Sequence, residues 1–103
     1  LSDSKPDFNQ LFSSVTQWQF ATFGKRSNPK PPIHHLLKEV NELLENPTDL
    51  SEYADCFFLL FNAAAESGYT SDQLLKAIAD KLEVNKQRKW GKPNQDGVVE
   101  HIK

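Results

Sequence analysis

Apolar residues recur at helical spacing in four segments, and no stretch alternates with the two-residue period of a strand beyond a few positions. Residues 6–23 form the first predicted helix, with Phe8, Leu11, Phe12, Val15 and Trp18 on one face and Asn9, Gln10, Ser13, Gln17 and Gln19 mostly elsewhere. Ser4-Lys5-Pro6-Asp7 supplies a cap, a first-turn proline and an acid at the positive helix end, and Gly24 ends the segment. A basic, proline-stiffened loop with Lys25, Arg26 and Lys30 follows. The second helix runs from residue 32 or 33 to 45, and Ile33, Leu36, Leu37, Val40, Leu43 and Leu44 give it an apolar arc of bundle width. Asn46-Pro47-Thr48-Asp49 reads as a stop, a turn and a new N-cap, so the third helix, residues 50–67, folds back on the second. Thr70 and Gln73 stand at capping-box spacing before a fourth helix that extends to about residue 89. The class implied is all-α, a four-helix-bundle-like fold with a short irregular C-terminal tail.

Composition narrows the class without changing it. The 103 residues suit one domain, residues 1–103, and a net charge of -2 with 25% charged residues implies no broad polyanion partner. The single Cys56 fits a reducing compartment, and the longest apolar run is far short of the ~20 residues that span a bilayer, so a soluble cytoplasmic protein without a membrane partner is expected. Cys56-Phe57-Phe58-Leu59-Leu60-Phe61 is apolar all round, more than a bundle this small can surround. A homodimer or homotetramer built on the third helix is the expected solution.

Chemistry concentrates between Glu39 and Asp55. Glu39-x-x-Glu42 and Glu52-x-x-Asp55 each place two carboxylates on one helical face, about one turn apart, and the predicted hairpin brings the pairs together. Clustered carboxylates repel unless cations lie between them, and hard oxygens suit Mg²⁺, with Mn²⁺ also accommodated. Asp55 directly precedes the long apolar run, where an uncompensated carboxylate is costly. Glu52 has a second reading, as the far half of a capping box with Asp49. His35, one turn before Glu39, is a candidate donor to the site, or simply an interfacial polar residue. On the fourth helix the stripe of Leu74, Leu75, Ile78 and Leu82 continues as Lys81, Asn85 and Arg88, as expected of a helix with one end in a core and the other lining a cleft.

The two acidic pairs on two helices of a short chain resemble the signature of the all-α nucleoside triphosphate pyrophosphohydrolases, the MazG-like superfamily. Thr22-Phe23-Gly24, His35-Leu36-Leu37-Lys38-Glu39, Lys81-Leu82-Glu83-Val84-Asn85-Lys86, Arg88-Lys89-Trp90-Gly91 and Asp96-Gly97-Val98-Val99-Glu100-His101-Ile102 are similar to its phage and bacterial dATP/dGTP pyrophosphohydrolase branch. The resemblance implies Mg²⁺-dependent cleavage of a nucleoside triphosphate between its α and β phosphates, with a preference for purine deoxynucleotides. Glu39, Glu42, Glu52 and Asp55 are then the metal ligands, and Glu42 or Glu52 also orients or deprotonates the attacking water. Lys81, Asn85 and Arg88 are candidates for holding the triphosphate, Lys25, Arg26 and Lys30 for its outer phosphates unless that basic loop is only solvated, and Trp18 for stacking on the base. For Lys81 and Arg88 the competing role is snorkelling at the bundle edge, and for Trp18 it is core packing.

Two other classes compete. A non-catalytic helical module for oligomerisation or partner binding is favoured if the carboxylates pair with Lys38, Lys76 or other helix cations. A nucleic-acid binder using residues 86–92 ranks last, because acidic residues flank the supposed groove and the net charge is negative.

Overall fold

The computed structural model describes residues 5–102, which form α1 (Phe8–Phe23), α2 (Lys30–Glu45), α3 (Leu50–Glu66), α4 (Ser71–Gln87), β1 (Lys89–Trp90) and β2 (His101–Ile102). α3 is the central element, with α2 folded along one side and α1 along another, while α4 packs principally on α1. Asp7 caps α1 through a reciprocal box with Gln10; Ser4, one of the cap residues expected from sequence, lies outside the described residues. α2 begins earlier than its periodicity predicts, at Lys30, because Pro31 and Pro32 occupy its first turn, where missing N–H groups leave no helical bond unmade.

The core is small and aromatic. Phe12, Val15, Phe61 and Ala65 are buried, with Phe8, Phe20, Ala64 and Leu74 packed against them. Phe61 is at its centre, its ring 5.2 Å from Phe12 and 5.6 Å from Phe8. Much of the predicted apolar surface stays open in the single chain. Phe57 is 56% exposed and Leu60 47%, and Leu37 and Leu44 on α2 and Leu75 and Ile78 on α4 are also exposed. The radius of gyration, 16.0 Å, exceeds the ~13 Å of a self-contained domain of this length.

Two details depart from the sequence reading. Gln19, assigned to the polar side of the first helix, is buried, while Trp18 from the apolar stripe is exposed. The tail is more ordered than expected: Lys89 pairs with Ile102 and Trp90 with His101 in an antiparallel ladder. Asn94 closes the intervening turn by accepting from the Asp96 and Val98 amides, and the Trp90 indole N–H donates to the Asn85 carbonyl at 3.0 Å, tying the ladder to the end of α4. Two-residue strands carry too little pattern to be read from sequence.

Candidate active site

The α2–α3 hairpin is held shut by its own turn. Asp49 accepts from the backbone and hydroxyl of Ser51, at 3.0 and 2.7 Å, and these bonds lower its carboxyl from the ordinary value. The Tyr53 hydroxyl donates to the Pro47 carbonyl at 2.9 Å. Asp49 thus caps α3 through Ser51, and Glu52 makes no reciprocal capping bond. Its carboxylate is free for other work.

Across the hairpin, Glu39, Glu52 and Asp55 each offer an oxygen, all within 4.8 Å of one another. Glu42 adjoins them. Its hydrogen bond with Glu39 and the charge of Glu39 push its carboxyl above the ordinary value. Glu52 is pushed up as well, first by burial and then by the charges of Glu42, Glu39, Asp49 and Asp55. Glu52 Oε2 is shielded from solvent and has no hydrogen-bond partner among the described residues. A buried carboxylate oxygen without a donor is unfavourable unless something positive meets it. Oxygen donors at this spacing fit a hard divalent cation.

Among the described residues no lysine ion-pairs with the cluster, and the charge of Lys38 offsets only part of the rise at Glu42. Among the described residues Lys76 pairs with Asp80 and Lys86 with Glu83, both within α4, and the one basic side chain in contact with the cluster is His35, whose Nε2 lies 3.1 Å from Glu39 Oε1. That distribution counts against the non-catalytic module, which called for carboxylates neutralised by helix cations.

Beside the cluster opens a cavity of about 460 Å³. Glu39, Asp55 and His35 stand in its wall with apolar surface from Trp18, Phe23 and Phe58. Of the substrate-binding candidates, Trp18 and His35 therefore face this space. Of the three loop cations, Arg26 lines the cavity, while Lys25 lies over the Phe20 ring at 5.4 Å and Lys30 is outside the wall. Lys81, Asn85 and Arg88 are not in the wall; Asn85 and Arg88 are half-buried beside each other at the end of α4, and Lys81 is exposed.

The sequence reading missed Gln19, Asn62 and Glu66, all of which line the cavity. Asn62 and Glu66 follow Asp55 at i+7 and i+11, a helical spacing that places them on its face of α3 and was available as a signal. Glu66 is 6% exposed and accepts from the Arg26 amide with both oxygens, at 3.1 Å, and from the Ser27 amide at 3.2 Å. Ser27 adopts a left-handed φ of 53°, so this anchor holds a strained loop that carries Arg26 to the cavity. Glu66→Ala is expected to destabilise the protein by about 1–3 kcal/mol, on the scale of buried hydrogen bonds to a charged acceptor. Thermal unfolding checks this; an unchanged midpoint would show that the loop holds itself.

A model of the dATP/dGTP pyrophosphohydrolase family matches residues 11–103. The chain belongs to that family. The all-α, MazG-like class and the hydrolase assignment read from the sequence agree with this membership. Another relative of this family member is the Eaa protein of Salmonella phage P22, 35% identical over 98 residues, or 95% of this chain and 31% of that protein. The chain therefore spans about a third of the length of that relative. The structure of the cyanophage S-2L MazG-like pyrophosphohydrolase, bound to dGDP and three catalytic Mn²⁺ ions per active site, is similar with a TM-score of 0.80 at 27% identity, over 96% of this chain and 100% of that one.

Proposed function

We propose that this chain hydrolyses purine deoxynucleoside triphosphates to the monophosphate and pyrophosphate, using Mg²⁺ or Mn²⁺ held by Glu39, Glu42, Glu52 and Asp55. The observation that carries the reading is the orphaned Glu52 Oε2 within a focus of three carboxylates at the wall of a nucleotide-sized cavity. When bound, the divalent cation supplies neutralisation of phosphate charge and a more acidic water. The protein's own groups do the rest. Glu42 and Glu52 are the candidates to accept the proton of the attacking water, because Glu39 beside Glu42 and the burial of Glu52 raise the proton affinity of these carboxylates. His35 holds Glu39 in place through its 3.1 Å contact. Arg26, fixed by Glu66, offers positive charge to the phosphates, and Trp18 offers an aromatic face to the base.

The exposed faces of α3 and α2 and the large radius of gyration support assembly with a second copy, as a dimer or tetramer. In such an assembly Lys81, Asn85 and Arg88 meet the triphosphate from a neighbouring copy rather than their own. The proposed setting is the cytoplasm, where nucleoside triphosphates are free; no helix among the described residues is long and apolar enough to cross a membrane.

The test is pyrophosphate release from a panel of deoxynucleoside and ribonucleoside triphosphates, with Mg²⁺, with Mn²⁺ and with chelator, for the wild type and Glu39→Gln, alongside the mass in solution. Metal-dependent cleavage of dATP or dGTP that Glu39→Gln abolishes is expected, from a species of at least two copies. No cleavage under any metal overturns the enzymatic reading. Full activity in Glu39→Gln overturns the ligand assignment, and an active single-chain species overturns the assembly.

A further inference from the structure

Two carboxamides in the cavity wall are not accounted for by metal or phosphate. Gln19 on α1 is 5% exposed and Asn62 on α3 is half-buried. The Phe58 carbonyl can only accept, so Gln19 Nε2, 2.9 Å away, must be the atom that donates to it. Gln19 Oε1 is thereby turned toward Asn62 and accepts from Asn62 Nδ2 at 3.3 Å. Reversing Gln19 would set its oxygen against the Phe58 oxygen, and reversing Asn62 would set its oxygen against Gln19 Oε1. The fixed backbone carbonyl therefore dictates the polarity of both side chains. Asn62 Oδ1 has no donor among the described residues, and Nδ2 keeps a second hydrogen. Asn62 presents an acceptor and a donor in a set order.

Its position suits a base. Asn62 lies seven residues beyond Asp55, about 10 Å along the axis of α3 at 1.5 Å per residue, a span comparable with a nucleotide measured from its 5′ phosphate to the far edge of a purine. Between them Phe58 and Leu59 line the same wall, and Trp18 and Phe23 add aromatic surface. Adenine carries an amino donor at position 6 beside a ring acceptor at position 1, whereas guanine carries a carbonyl acceptor at position 6 beside an N–H donor. A freely rotating amide can satisfy either order. A locked one satisfies only one.

We infer that Gln19 and Asn62 form a polarity-locked amide pair that makes this site discriminate between adenine and guanine, Asn62 touching the base and Gln19 serving as a positioning residue. This rests on the purine-nucleotide reading above. The experiment measures kcat and KM for dATP and dGTP with Mn²⁺, and calorimetric binding of dAMP and dGMP, for the wild type, Gln19→Leu and Asn62→Ala. The wild type is expected to favour one purine by about tenfold or more, in KM and in monophosphate affinity alike. Gln19→Leu frees Asn62 to turn over and brings the ratio toward unity, the change falling on KM more than on kcat; Asn62→Ala removes the preference and weakens both ligands. If Gln19→Leu does not fold, Asn62→Ala decides. Cleavage with a wild-type ratio within about twofold, or a preference that survives in a folded variant, overturns the inference and leaves the enzymatic reading standing. Failure of the wild type to cleave or bind any purine nucleotide overturns both.

Discussion

Glu52→Gln is expected to lower kcat by about 10²–10³-fold or more, the scale for loss of one fixed electrostatic group, while making the metal-free protein more stable at neutral pH. The two effects have one origin. Glu52 is shielded and faces Glu39, Glu42 and Asp55, so its negative charge suits a cation and opposes the fold when none is there. Its carboxyl is raised above the ordinary value of 4.5, by burial first and the neighbouring charges next. A raised acid contributes fully to stability below its unfolded value, and that contribution disappears as pH rises through the folded value. The wild type therefore loses this contribution progressively as pH rises, whereas glutamine has no charge to acquire. Thermal unfolding in chelator between pH 4 and 7 should show the two proteins diverging as pH rises, with the variant melting higher. Adding Mn²⁺ should stabilise the wild type much more than the variant. If the variant melts lower throughout and retains activity, Glu52 is a structural residue and the metal assignment is wrong at its centre.

Phe61→Ala should destabilise the chain by about 3–5 kcal/mol, comparable to the whole stability of a marginal domain. Phe61 joins Phe8 and Phe12 of α1 to Phe57 of its own helix, with ring separations of 5.6, 5.2 and 6.3 Å. The few other buried residues, Val15 and Ala65 among them, cannot refill that volume. Since α3 also carries Glu52 and Asp55, loss of this anchor loosens the helix that holds half of the acidic cluster. At 4–8 °C per kcal/mol, the midpoint should fall by about 12 °C or more. Phe57→Ala is the informative control, because an exposed ring contributes little to the single chain and its loss acts on assembly instead. Circular dichroism melts read the first effect and sedimentation the second. A Phe61→Ala loss below about 1 kcal/mol would mean the core lies elsewhere.

The helices and the acidic hairpin were legible because their signals are local. Glu39, Glu42, Glu52 and Asp55 lie on two consecutive helices, so spacing and one turn suffice to bring them together. Gln19 shows where that reasoning stops. On its own helix it reads as a polar residue facing away from the apolar stripe, and only the arrival of the Phe58 carbonyl and Asn62 from α3 turns it into a buried one. Trp18 illustrates the converse, since periodicity put it in the packing face and the structure leaves it open beside the cavity. The helical spacing of Glu66 from Asp55 was readable, but its anchoring role was not, because it receives amides from a loop 40 residues earlier, at Arg26. For Lys81, Asn85 and Arg88 the helical stripe was readable, but a stripe does not say which cleft it faces.

The turn between Glu42 and Glu52 has a consequence for how the acidic centre is assembled. Asn46 through Asp49 make a tight reversal, with the Asp49 amide bonded to the Asn46 carbonyl at 3.1 Å, so the carboxylates at the inner ends of the two helices are separated by only a short closed loop. Closing so short a loop forfeits little chain entropy compared with bringing distant segments together. The order of the polypeptide thus contributes almost nothing to the difficulty of gathering these charges, and what remains is their mutual repulsion. The hydrogen bonds of the turn therefore hold the hairpin closed against that repulsion, and a cation between the carboxylates would remove the opposing force rather than create the fold.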